Sequence, residues 1–152
     1  MKKKNAGYIV AAVGLTGLFA AAATFFTRTD SEWYMELNKP AIQPPPIAFA
    51  IAWTIIYALF AASFSVTLIK REGKGAMLYI LNLVLTTLWC VLFFIRQSPG
   101  AALVLLLVIF ILAIILAYNA YNTSVAAGAL ITPYALWIAF ALTINYGVVL
   151  LN

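Results

Sequence analysis

Histidine is absent, cysteine occurs once, and only 9% of the 152 residues are charged, against roughly 25% in an ordinary soluble domain. Without imidazole the chain offers no His-ligated haem or zinc, no Ser-His-Asp triad and no histidine proton relay. The one thiol, Cys90, has no partner for an internal disulfide and lies in an apolar run, where it reads as an inert packed side chain. Gly-rich phosphate-cradling loops are missing, so nucleotide-driven transport is not expected of this chain by itself. No basic stretch is interleaved with aromatics, and nucleic acid is not an expected partner. What is present is apolar: 66% of the residues are hydrophobic and the mean hydropathy is +1.05. That leaves too little polar surface to clothe a globule in water, and the natural solvent is lipid.

The few charges are confined to Lys2–Lys4, Arg28–Lys39, Lys70–Lys74 and Arg96. Outside them lie five apolar runs, at 6–27, 46–69, 76–95, 100–120 and 125–151, each long enough to cross a bilayer as a helix. The expected architecture is an all-α membrane protein, a single integral domain over 1–152, built as a five-transmembrane-helix bundle. From Gln97 to the end there is no Asp, Glu, Lys or Arg, and that tail must cross at least twice. The first run follows three lysines but is too long for a signal-peptide core, and it is kept as the first span.

Six basic residues (Lys2, Lys3, Lys4, Lys70, Arg71, Lys74) fall on one side of the alternating spans and three (Arg28, Lys39, Arg96) on the other. The excess predicts a cytoplasmic amino terminus in a multi-pass membrane protein. The first connection, 28–45, is much the longest, and Lys39-Pro40 and Pro44-Pro45-Pro46 exclude ordinary helix interior there. It is expected to be a rigid, extended lid. The other connections are short, which predicts that consecutive helices are antiparallel neighbours.

No span holds a charged residue, which argues against ion-coupled antiport. Instead there are aromatic and neutral-polar stripes at helical spacing. Phe49, Trp53 and Tyr57 recur in the second run, Asn82, Thr86, Trp89 and Phe93 in the third, and Tyr134, Trp137, Ala141 and Asn145 in the fifth. Such faces suit a flat apolar ligand with polar edges. Counted from the outer helix ends, Trp53, Trp89 and Asn145 are each expected roughly 10 Å deep, with Trp137 deeper as a floor. Trp33, Tyr8, Tyr118 and Tyr121 read as interfacial belt residues. Two ladders of small side chains, Ala135, Ala139, Thr143 and Gly147 in the fifth run and Gly7, Ala11, Gly14, Gly17 and Ala21 in the first, suit either bundle packing or a homodimer contact.

Three ordered segments carry a resemblance: WYMELNKPAIQPPPIAFAIAWTIIYAL from Trp33 to Leu59, LWCVLFF from Leu88 to Phe94, and TPYALWIAFALTINYGVVLLN from Thr132 to Asn152. In these the chain resembles the TspO/MBR family of tryptophan-rich sensory proteins and translocator proteins, also called peripheral-type benzodiazepine receptors. The resemblance implies a five-helix bundle, commonly a homodimer, that binds tetrapyrroles such as protoporphyrin IX and, in animal members, isoquinoline-carboxamide or benzodiazepine drugs and cholesterol. It implies that Trp53, Trp137, Ala141 and Asn145 line the ligand cavity and that Tyr34 and Pro45 belong to its lid.

Some members degrade porphyrin in light, which would make Trp53 and Trp137 photochemical relays. No resident cofactor or metal is implied, protoporphyrin being ligand or substrate. Thr86 stands where the family pattern usually has Asn, and Ala101 and Leu105 stand where many members carry Trp and an acidic residue. Gly147 to Leu151 supply no Lys or Arg after Tyr146, so the animal sterol motif is absent. The leading expectation is a membrane receptor or carrier for flat tetrapyrroles; the alternatives are a light-dependent porphyrin-degrading enzyme and a membrane scaffold.

Overall fold

The computed structural model describes residues 2–152. Its elements are α1 (Lys2–Phe26), α2 (Glu32–Glu36), α3 (Pro46–Lys70), α4 (Ala76–Cys90) continued by one π-helical turn (Val91–Ile95), α5 (Pro99–Thr123) and α6 (Val125–Leu151). The helix starts follow from local chemistry. Pro46 and Pro99 occupy first-turn positions, where a missing N–H costs nothing. The Ser124 hydroxyl accepts from the Ala127 N–H, so a single extended residue separates α5 from α6. Glu72, Gly73 and Gly75 take positive φ in the turn between α3 and α4.

Five of these helices are long and apolar enough to cross a membrane. Large side chains such as Val10, Ile55, Val104 and Leu136, each more than half exposed, cover the outside of the bundle. That surface is stable only against lipid. The fold is an all-α, multi-pass membrane bundle.

The helices close into a ring in the order α3, α1, α4, α5, α6 and back to α3. The expectation that all consecutive helices are neighbours is corrected at one place. α3 and α4 are joined by a short turn, yet α1 packs against both and their backbones approach closely at few points. Bulky Tyr79 holds them apart while bridging them: its ring stacks on Phe64 at 4.6 Å and meets Phe60 edge-on at 5.3 Å.

A chain of buried hydrogen bonds crosses this half of the bundle. Ser63 Oγ donates to the Ala127 carbonyl at 2.7 Å, so the Tyr79 hydroxyl must donate to Ser63 (2.7 Å) and Thr67 to Tyr79 (3.0 Å). In a second chain Tyr134 donates to Asn82 Oδ1 at 3.2 Å, leaving Thr86 to donate to Tyr134 at 3.0 Å. All six side chains are buried, and none of these hydroxyls lacks a partner.

The lid expectation needs two corrections. It is not wholly extended: Ser31 caps α2 by accepting from the Tyr34 N–H, and no proline occurs before Pro40 to prevent the turn. Nor does it merely cover the bundle. Asn38 is hydrogen-bonded to Asn152 at the end of α6, while the Pro40 ring lies where a Cβ at Gly147 would come within 2.9 Å of it. Gly147 is about 7 Å further along α6, so the segment descends beside that helix and α3 begins recessed within the bundle.

The small-residue ladders separate. Gly7, Gly14 and Gly17 of α1 face open space with nothing within 4 Å, whereas Gly147 of α6 accommodates Pro40. Trp33 and Tyr121, expected in the interfacial belt, have packing roles: Trp33 meets Phe93, and the Tyr121 ring lies over bare Gly128.

Candidate functional site

Two groups of rings face the interior between the hydroxyl chains and the lid. The first joins α3 and α6. Trp53 stacks on Tyr57 at 5.3 Å and meets Trp137 edge-on at 6.2 Å, while Phe49 meets Trp137 at 5.7 Å and Phe140 meets it at 5.5 Å. The second joins the end of α4 to the lid. Trp89 stacks on Phe93 at 5.0 Å, Phe93 contacts Trp33, and Phe94 contacts Tyr34 at 5.5 Å. The π turn allows the second group: the Arg96 N–H bonds back to the Val91 carbonyl, and the widened turn keeps consecutive Phe93 and Phe94 both buried.

The two groups are bridged by one face of α6. Trp137 belongs to the first group, Asn145 to the second, and Ala141 is the small residue between them, at a spacing of about 6 Å per step. The depth expectation is overturned here. Trp53 is paired with Trp137 instead of lying level with Asn145, because the recessed start of α3 lowers the whole stripe Phe49–Trp53–Tyr57.

The polar atoms of the stripes differ in what they have left to offer. Trp89 Nε1 donates to Asn145 Oδ1 at 3.0 Å, and Asn145 Nδ2 donates to the Pro99 carbonyl at 3.0 Å. Thr86 donates to the Tyr134 hydroxyl, which in turn donates to Asn82 Oδ1. Trp137 Nε1 is buried and has no hydrogen-bond partner. Of the proposed lining residues, then, Asn145, Trp89, Thr86 and Tyr134 hold the bundle together through their polar atoms, and Trp137 alone presents a buried unpaired donor.

In the lid, Gln43 Nε2 donates to the Tyr34 hydroxyl at 3.0 Å and the Lys39 ammonium lies 4.6 Å above the Tyr34 ring. Burial raises the Tyr34 phenol above its ordinary range, an effect the Gln43 hydrogen bond partly offsets, and Tyr34 stays neutral at physiological pH. Pro45 is exposed and caps the start of α3, its carbonyl accepting from Ala48 and Phe49. Phe94, Phe140, Gln43 and the Asn38–Asn152 pair were not legible as site elements. Only Phe140, three residues beyond Trp137, carried a spacing signal.

Two clefts of about 420 and 270 Å³ open on the bundle, one between Leu103, Leu107 and Tyr146 on α5 and α6, the other beside the second ring group between Trp33, Pro99, Val148 and Asn152. Among the described residues no cluster of His, Cys, Asp or Glu could hold a metal ion.

A model of the TspO/MBR family matches residues 9–151. The chain is 31% identical over 134 residues to the tryptophan-rich sensory protein of Cereibacter sphaeroides, covering 88% of this chain and 85% of that one. It is 34% identical over 139 residues to the tryptophan-rich protein TspO of Chlorobaculum tepidum, covering 87% of each. With the human translocator protein the identity is 32% over 122 residues, 75% of this chain and 71% of that one. A match over nearly the whole chain, on a bundle of five membrane-spanning helices, establishes that this protein belongs to the TspO/MBR family.

Proposed function

We propose that this protein is a membrane receptor or carrier that takes up porphyrin-type tetrapyrroles, and flat hydrophobic molecules of similar shape such as isoquinoline carboxamides, among its aromatic stripes. The observation that carries this reading is the indole N–H of Trp137, buried without a partner among Phe49, Trp53 and Phe140. A donor left unpaired away from water costs about 1–3 kcal/mol. A planar ligand with carboxylate or carbonyl edges brings the missing acceptor while its face stacks on the rings. The names of relatives, a sensory protein and a translocator, support sensing or carriage. Binding parts rings that now touch, with the segment from Tyr34 to Pro45 yielding as a lid. The ligand then lies among Phe49, Trp53, Tyr57, Trp89, Phe93, Trp137 and Ala141, with Thr86, Tyr134 and Asn145 holding the surrounding helices.

In the membrane of a bacterial cell we place the amino terminus on the cytoplasmic side, on the six-to-three excess of basic residues. We propose that a second copy joins it as a homodimer.

A second reading is favoured by the contact between Trp53 and Trp137. A tryptophan pair beside a photoexcited porphyrin can relay an electron, and light with oxygen would then degrade the bound ring. One titration of the detergent-purified protein with protoporphyrin tests both. Tryptophan emission is expected to fall to saturation at one ligand per chain in the dark, and a linear, unsaturable response overturns the binding reading. Under light, bleaching no faster than in a protein-free control removes the enzymatic one.

A further inference from the structure

The net charge of +5 is not spread over the molecule. At the end of the bundle where α1 starts and α3 turns into α4, Lys2, Lys3, Lys4, Lys70, Arg71 and Lys74 stand against one carboxylate, Glu72, which leaves +5 there. At the opposite end Arg28, Lys39 and Arg96 are matched by Asp30, Glu32 and Glu36, which leaves zero.

The basic end is also held in shape. Lys4 Nζ is 3.7 Å from Glu72 Oε2, and a Cβ at Gly73 would lie 3.2 Å from the Tyr8 ring, so the first turn of α1 and the α3–α4 turn form one surface. Arg71 Nη2 donates to the Asn119 carbonyl at 3.3 Å, fixing that guanidinium between the two turns at this end. Lys3, Lys70 and Lys74 remain exposed and, among the described residues, Lys4–Glu72 is the one ion pair. The α5–α6 connection carries no charge at all, so the positive surface is a crescent over α1, α3 and α4.

We propose that this crescent is a docking surface for anionic phospholipid headgroups. The partner is identified by position and charge together. The lysines stand where apolar spans leave the hydrocarbon, which is where long basic side chains reach headgroup phosphates. With no net charge, the opposite end has no comparable preference. Lipid beside α1, α3 and α4 at this end is therefore enriched in anionic headgroups, and the enrichment does not depend on whether a tetrapyrrole binds.

The test is electron paramagnetic resonance of the full chain in phosphatidylcholine membranes containing spin-labelled phosphatidylglycerol or spin-labelled phosphatidylcholine. The ratio of their association constants is expected to exceed about twofold at low salt and to fall toward unity in molar salt, where screening acts over about 3 Å. A Lys3→Gln/Lys70→Gln/Lys74→Gln variant, altered only at exposed positions, is expected to lose most of the preference with its helical content unchanged. Arg28→Gln/Arg96→Gln at the other end is expected to keep it. Equal association of the two lipids with the wild type overturns the proposal, as does a preference that survives the lysine substitutions or is lost with the arginine ones. The salt series on the wild type decides the matter even if a variant misfolds.

Discussion

The two halves of this bundle are closed by different physics. Toward the basic end, Ser63, Thr67 and Tyr79 form one chain of buried hydrogen bonds and Asn82, Thr86 and Tyr134 another, around the stacked pair Phe64 and Tyr79. Toward the lid, ring contacts predominate, tied by the Trp89–Asn145–Pro99 hydrogen bonds, by the amide pair Asn38–Asn152 at about 3 Å and by a proline seated on a bare glycine, and one indole N–H is left unpaired. A saturated polar network away from water opens only by breaking several bonds together. Apolar ring contacts can be exchanged for equivalent contacts with another flat molecule. The first half is a scaffold, and the second has the properties of a site that opens.

Breaking the scaffold should have the largest effect. Phe64→Ala removes a fully buried ring stacked on Tyr79, and is expected to cost about 3–5 kcal/mol. The check is unfolding of the detergent-purified protein, and a loss below 1 kcal/mol would show that this half is not the stable one.

A sharper contrast comes from two tryptophans that differ in their partners. Trp89→Phe strands Asn145 Oδ1 and is expected to destabilise by about 1–2 kcal/mol. Trp137→Phe removes a donor that has no partner, so stability should hardly change while protoporphyrin affinity falls by about five- to tenfold. The same unfolding curves, with fluorescence or absorbance titrations beside them, separate the two. Equal effects of both substitutions would erase the distinction.

The smallest expected effect concerns the lid. Gly147→Ala places a Cβ 2.9 Å from Pro40 and should displace the strap at a cost of about 1 kcal/mol. Asn152→Ala removes the amide pair without touching that packing. In both, hydrogen exchange of residues 38 to 43 should rise while Tyr79 and Asn82 stay protected. Unchanged exchange would mean that the strap is held by something other than these contacts.

How much of this was legible in the sequence depended on range. Hydropathy runs placed five spans within a few residues, since a helix in lipid must satisfy its backbone internally and therefore needs an unbroken apolar stretch. The four-residue recurrence of Phe49, Trp53 and Tyr57, and of Trp137, Ala141 and Asn145, located the interior faces. Beyond a single helix the signal failed. Depth counted from helix ends assumed a common surface, and Pro40 descending along α6 to Gly147 made that assumption false for α3. Short loops suggested neighbours, and the insertion of α1 between α3 and α4 left no local trace. The short lid helix, capped by Ser31, precedes the prolines, whose restriction on the chain applies only from residue 39 onward.

By itself the sequence determined that this is a five-span membrane protein, where its charges lie, and which side chains share a helical face. Those follow from transfer free energy and helical periodicity, both local properties of the chain. Tertiary structure alone decided that Trp89 is satisfied by Asn145 while Trp137 is not, that Phe93 and Phe94 both turn inward, and that the glycines of α1 look outward while Gly147 receives the lid. Each of these is settled by which helix stands opposite, and that is fixed only when the ring of five closes.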